Sequence, residues 1–221
     1  MKLAIPFLDE AIEFNDDCLN TLVIEEQRAF RHIVQDIVNQ TSGEEGESIL
    51  SDNGKICLFS KRCEILSTFI PFEMNKKSII NHVLAVMERT ALDEENFIRS
   101  QELLAQIEAF VYDLSLECDC ELEFSKINIP SLLKTIGVAV KEEYDSLIEK
   151  IVDYMQMLCG FMGDMLFVTV NMRSYFTDDE ISLFSDTVIG HKINVLMIEN
   201  QEYPLLQQEK RIIIDKDICI I

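Results

Sequence analysis

The stretch NTLVIEEQRAFRHIVQDIVNQ, residues 20–40, decides the fold. Its first part, through Ile24, is a short apolar run that reads as a buried strand. From Gln27 the period changes. Phe30, Ile33, Val34, Ile37 and Val38 recur at helical spacing and mark one face of a helix. A strand that feeds a helix almost without a loop is the opening of a βαβ unit, so the chain is expected to be an α/β protein.

Working outward, TSGEEGE (41–47) ends that helix. Upstream, LAIPF and AIEF flank Leu8, Asp9 and Glu10 as a hairpin-like start. Downstream, ILSDNGKICLF (49–59) sets Asn53-Gly54 between two apolar runs, the strongest short-range hairpin signal. Near the end of the chain, MLFVTVN (165–171) and INVLMIEN (193–200) read as buried strands, and KRIIIDKDICII (210–221) as a final strand or hairpin. Between the first two of these, TDDEISLFSDTVIG (177–190) reads as a helix whose Thr177 and Glu180 form a capping box. The middle of the chain has helical period in SIINHVLAVMERTA (78–91), ENFIRSQELLAQIEAFVYDLSLE (95–117), a short helix IPSLLKTIG starting near Pro130, and EEYDSLIEKIVDYMQMLCGFMG (142–163). The expected organisation is therefore an α/β domain made of residues 1–72 and 164–221, with a mainly helical insertion at 73–163.

With 221 residues and 48% hydrophobic content the chain has material for a core. No run approaches the ~20 apolar residues of a membrane span. The start runs at once into Asp9 and Glu10, unlike a signal peptide, so a cytoplasmic protein with no membrane partner and seven reduced cysteines is expected. Lys plus Arg at 19 against Asp plus Glu at 40 leaves a net charge of −21, which taken over the whole chain opposes binding to a phosphate backbone. The local field decides, however. Bases gathered on one surface still hold DNA when the acids lie elsewhere or are neutralised by cations.

The junction Glu25-Glu26-Gln27-Arg28 stands where a phosphate-binding α/β protein places its glycine-rich loop. It has no glycine amides and no Gly-Lys-Ser/Thr, and two carboxylates point at the place of the anion, so nucleotide hydrolysis is not expected. Cys57, Cys159 and Cys219 sit in apolar runs and read as core, not as nucleophiles. Asn171 and Glu199-Asn200 end buried strands, either as turn residues or as a catalytic or metal-binding strand end. The segment LECDCELEF (116–124) alternates. On a strand, Cys118, Cys120, Leu122 and Phe124 would share a core-facing side, and Asp119, Glu121 and Glu123 the other. His32, His82 and His191 are scattered, which leaves zinc without a ligand set. The carboxylates read either as a solvated acidic face or as an oxygen-rich seat for a hard cation, calcium sooner than magnesium.

Taken together, LAIPFLDEAIEF (3–14), SLLKTIGVAV (131–140), LFVTVNMRSYFTDDEI (166–181) and INVLMIENQE (193–202) resemble, in their order and spacing, the small accessory protein of type II-A CRISPR systems, the Csn-two family. The resemblance implies an α/β head with a degenerate P-loop-like sheet and an inserted helical leg. It further implies a homotetramer closing into a ring around double-stranded DNA, taking up calcium, without catalysis of its own. Such a protein supports spacer acquisition in antiviral defence, alongside the CRISPR adaptation integrase and the RNA-guided nuclease. It would take DNA at its ends and without sequence preference.

Carried over residue by residue, the resemblance makes Asp119, Glu121 and Glu123 part of the calcium site, with Glu142 and Asp145 completing the oxygen shell. For DNA it offers Lys134, within the matched segment, then Lys126 and Lys141 on either side of it. Lys76, Lys77, Lys61 and Arg62 rest on pairing and position alone. The alternative is a calcium-binding scaffold that never touches nucleic acid. A metal-dependent nuclease would need carboxylates converging on a basic group, and no compact Asp-Glu-x-Lys arrangement is present.

Overall fold

The computed structural model describes residues 1–15 and 17–221. In chain order its elements are strands β1 (Lys2–Ala4), β2 (Ile12–Glu13) and β3 (Leu19–Ile24), helix α1 (Gln27–Thr41), strands β4 (Ile49–Asp52) and β5 (Lys55–Cys57), helix α2 (Phe59–Arg62) and strand β6 (Cys63–Leu66). Four helices follow, α3 (Lys77–Ala91), α4 (Phe97–Ser115), α5 (Ile129–Ile136) and α6 (Leu147–Met162). The chain ends with strand β7 (Leu166–Val170), helix α7 (Asp178–Gly190), and strands β8 (Asn194–Glu199) and β9 (Glu209–Ile214). It divides into a larger unit, Met1–Phe72 with Tyr144–Ile221, and a smaller one, Glu73–Glu143.

In the larger unit a five-stranded parallel sheet runs in the order β6-β7-β8-β3-β9. The central strands β7, β8 and β3 are buried along nearly their whole length and are mostly apolar, as a sheet covered on both faces requires. Leu22, Ile24, Leu166, Val168, Leu196 and Ile198 join one hydrophobic cluster with Ile33 and Ile37 of α1. The same cluster takes in Leu3, Ile12 and Leu50 from a second, antiparallel sheet of order β2-β1-β4-β5. Both hairpins expected from the sequence are there. Asn53 (φ 49°) and Gly54 (φ 75°) make the tight turn between β4 and β5, the left-handed pair that a two-residue hairpin requires. On α7, Thr177 and Glu180 form the reciprocal capping box.

The expected boundary at 163 moves. Residues 144–163 group with the larger unit, because α6 buries Ile148, Ile151, Val152, Tyr154, Met155 and Leu158 there. Tyr154 donates to Glu64 on β6 at 2.6 Å, and its ring meets Phe72 edge-on at 5.3 Å. Helical period shows that a segment has an apolar face, but not which body covers it.

The smaller unit is helical, with α3 packed on α5. Its inner contacts are few: Met74, Ile79, Ser100, Leu104 and Ile129 are buried. Of the 19 residues of α4, only Ser100 and Leu104 are buried. Segment 116–124 is not the strand expected from its alternation. It has no neighbouring strand to pair with, so Cys118 and Cys120 are exposed instead of core. Cys219 is exposed as well, and Cys57 and Cys159 are half-buried. Among the described residues no helix is long and apolar enough to cross a membrane.

Candidate functional site

The basic residues of the smaller unit are positioned by local hydrogen bonding. Asn75, just ahead of α3, clasps the chain at Val140. Its amide donates to the Val140 carbonyl at 3.0 Å, and its carbonyl accepts from the Val140 amide at 2.7 Å. The same Asn75 amide donates to Glu142. The clasp brings the chain around Lys76 and Lys77 against the chain around Lys141, residues far apart in sequence. Lys76 is half-buried and Lys77 exposed at the start of α3, where neither satisfies the helix end electrostatically. Lys141 is paired with Glu143 at 2.5 Å, so its charge is partly spent within the chain.

Lys134 is exposed in the last turn of α5, a position that the helix dipole favours for a cation. The helix is well delimited. Asn128 accepts from the Ser131 amide at 2.9 Å, Pro130 sits in the first turn, and Gly137 (φ 75°) takes the left-handed conformation that ends it. Lys126 is exposed and lines a cavity of about 740 Å³ between α4 and residues 123–127, whose other walls include Tyr112 and Phe124. Lys61 and Arg62 belong to α2 of the larger unit. Lys61 is exposed, and Arg62 is paired with Asp52 at 3.2 Å.

The acidic residues do not come together. Asp119, Glu121 and Glu123 are exposed on a segment without helix or strand. Glu142 is engaged with Asn75, and Asp145 belongs to the larger unit. Among the described residues no three His, Cys, Asp or Glu side chains are grouped to hold a metal. A calcium ion takes six to eight oxygens, so these carboxylates as placed do not fit one in the single chain. The alternation that would set Asp119, Glu121 and Glu123 on one side holds only for a strand, and no strand forms there.

The strand ends are occupied structurally. Asn171, in the left-handed region at φ 52°, accepts from the Asn200 amide at 3.0 Å and so ties β7 to β8. Glu199 is fully buried and accepts from the Arg173 amide at 3.1 Å. Its second oxygen has no hydrogen-bond partner, and burial pushes its carboxyl up to about 7. Arg173, only 5% exposed, donates to Asp178 at 2.7 Å and to the Pro204 carbonyl at 2.9 Å, and lies over the Tyr203 ring. Buried Glu209 stands 3.8 Å from Arg173 and accepts from Arg211 at 2.7 Å. Sequence reading marked Glu199 and Asn171 but missed Arg173 and Glu209, because the contacts that join Arg173 to Glu199 and to Glu209 span 26 residues or more.

A sequence model of the family described as CRISPR-associated protein (Cas_Csn2) matches residues 40–218. Two curated proteins are similar along the whole chain. CRISPR-associated protein Csn2 of Streptococcus agalactiae is 24% identical over 223 residues, covering 100% of this chain and 97% of that protein. CRISPR-associated protein Csn2 of Enterococcus faecalis is 22% identical over 223 residues, covering 100% of this chain and 98% of that protein.

Proposed function

The chain belongs to the Csn2 family of CRISPR-associated proteins, and from that premise we propose that it is a non-enzymatic, sequence-independent clamp on double-stranded DNA. On this reading it closes as a homotetrameric ring around the duplex and supports spacer acquisition with the adaptation integrase and the RNA-guided nuclease. The observation that carries the reading is the likeness to Csn2 proteins of nearly the same length along the whole chain. The larger unit is then the head and the smaller unit the leg. Glu26 supports the degenerate P-loop assignment: its carboxylate accepts from the Ala29 amide at 2.7 Å, filling the helix end where a phosphate would sit. Assembly is supported by the apolar side chains that the smaller unit leaves in solvent, among them Phe110 at 61% exposure and Leu116 at 67%. The seven free cysteines suit a reducing cytoplasm.

At a net charge of −21 the chain has no long-range attraction for DNA, so it relies on a few short-range phosphate contacts repeated by symmetry. Linear duplex should therefore bind better than covalently closed circles of the same sequence, which offer no end to thread. Lys134→Glu should weaken binding to all sequences about equally and flatten its salt dependence. Gel shifts across a salt series check both. Equal affinity for closed circles removes the ring, and failure to bind linear duplex at all leaves the scaffold reading in its place.

Calcium dependence we assign to the assembled protein, since the described residues of the single chain hold no grouped ligands. Binding to the assembled form alone stabilises that form by mass action. A chelator should thus lower the thermal midpoint and shift light-scattering mass toward smaller species. Asp119→Asn with Glu121→Gln should mimic the chelator. If chelator and double variant are both silent, calcium has no part in the assembly.

A further inference from the structure

A cavity of about 750 Å³ beside the first turns of α1 plays no part in the clamp described above. Arg28, Arg31, His32 and Gln35 line one side of it, from a single face of α1. Phe7, from the turn after β1, and Ile218, from the turn after β9, line it as well. Both arginines are exposed, and among the described residues neither enters an ion pair. In a chain with twice as many acids as bases, two adjacent guanidinium groups outside any close ion pair are unusual. Glu26, the carboxylate of the cavity, caps the helix: hydrogen bonds from the Arg28 and Ala29 backbone, and then the nearby Arg28 and Arg31 charges, hold its carboxyl below the usual range. His32 faces Glu47 at 3.4 Å. The capacity for an anion thus lies in the two arginine side chains and not in the helix end, which Glu26 already caps.

The apolar walls are held out in solvent by the backbone. Phe7 (φ 74°) and Ile218 (φ 63°) are both non-glycine residues in the left-handed region, an unfavourable conformation that clusters at ligand clamps. Asp215 fixes the second of them, accepting from the Asp217 and Cys219 amides at 2.9 and 2.8 Å. Phe7 stands edge-on to His32 with ring centres 5.8 Å apart. The cavity therefore joins a paired cation to an aromatic and aliphatic wall, within the size of a single-nucleotide site.

We propose that this cavity seats the 5′-phosphorylated terminal nucleotide of a DNA strand, with the phosphate on Arg28 and Arg31 and the base against Phe7 and Ile218. Planar guanidinium groups match phosphate oxygens in pairs, and a base stacks on an aromatic ring whatever its identity. A bare anion would leave the apolar wall unused, and an apolar ligand would leave the arginines unused. The inference rests on the DNA-clamp reading, but none of its residues serves there.

The test is fluorescence anisotropy with linear duplex bearing short 5′ overhangs, either phosphorylated or dephosphorylated, alongside calorimetry with a 5′-phosphorylated dinucleotide. The phosphorylated duplex should bind about tenfold tighter, as expected for one charge-assisted paired contact. Arg28→Ala with Arg31→Ala should abolish the difference while leaving affinity for the dephosphorylated duplex unchanged. Equal affinity for the two ends, or a preference that survives the double variant, overturns the cavity and leaves the clamp standing. If neither duplex binds, the clamp fails and the dinucleotide decides. Saturable binding lost in the double variant supports the cavity, and no binding overturns it.

Discussion

Arg173→Ala should destabilise the protein by about 3–5 kcal/mol at pH 8, the cost of leaving buried charges without their cation. Arg173 is 5% exposed and the guanidinium links Asp178, Glu209 and the Pro204 carbonyl across three segments of chain. Without it Glu209 keeps Arg211 and the Leu206 amide, and Glu199 loses the cation that counteracts its burial. Glu199 can then escape by taking up a proton, so the loss should be smaller at pH 5 than at pH 8. Urea unfolding at the two pH values measures this. A loss below about 1 kcal/mol at pH 8 would mean that the cluster is already solvated.

Glu199→Gln should act in the opposite direction. Burial raises the Glu199 carboxyl to about 7, so the folded protein holds this proton more tightly than the unfolded chain does. The stabilising contribution of the group is complete below the ordinary carboxylate range and is lost as pH rises through about 7. Glutamine keeps an oxygen for the Arg173 amide and carries no charge to desolvate. The variant should therefore gain about 1–3 kcal/mol at pH 8 and nothing near pH 4. A stability difference between variant and parent that does not change with pH would refute this account of Glu199. Arg173→Ala in the Glu199→Gln background should cost less than in the parent, with a coupling of about 1–3 kcal/mol.

Local chemistry made much of the fold readable in advance. The run through Ile24, the Asn53-Gly54 turn, the Thr177–Glu180 capping box and the Pro130 helix start each contain their own geometric instruction, and each is present. What failed depended on distant partners. Alternation at 116–124 predicts a strand only where a neighbouring strand accepts its hydrogen bonds, and none does. The side of α6 that is buried was visible, but Glu64 and Phe72, which receive Tyr154, precede it by more than 80 residues. The placement of Lys134 on a short helix was legible from Pro130 and Gly137, whereas the approach of the chain around Lys76 and Lys77 to that around Lys141 depends on the Asn75 clasp. The Arg28 and Arg31 cavity had one readable sign, basic residues at helical spacing, and its other wall comes from Phe7 and Ile218.

Strand β9 pairs with β3 on one side and would present open backbone groups on the other. There the chain folds back: Ile213 and Ile221 exchange hydrogen bonds at 3.1 and 2.9 Å, and Ile214 bridges antiparallel to Ile220. The carboxyl half of that sheet margin is thus self-sealed by its own sequence, and a foreign strand finds no template there for polymerisation. Its amino half carries the exposed Lys210, a charge that discourages stacking of one molecule on the next. Whatever copies of the chain meet, the most adhesive backbone of this margin is kept out of open-ended growth.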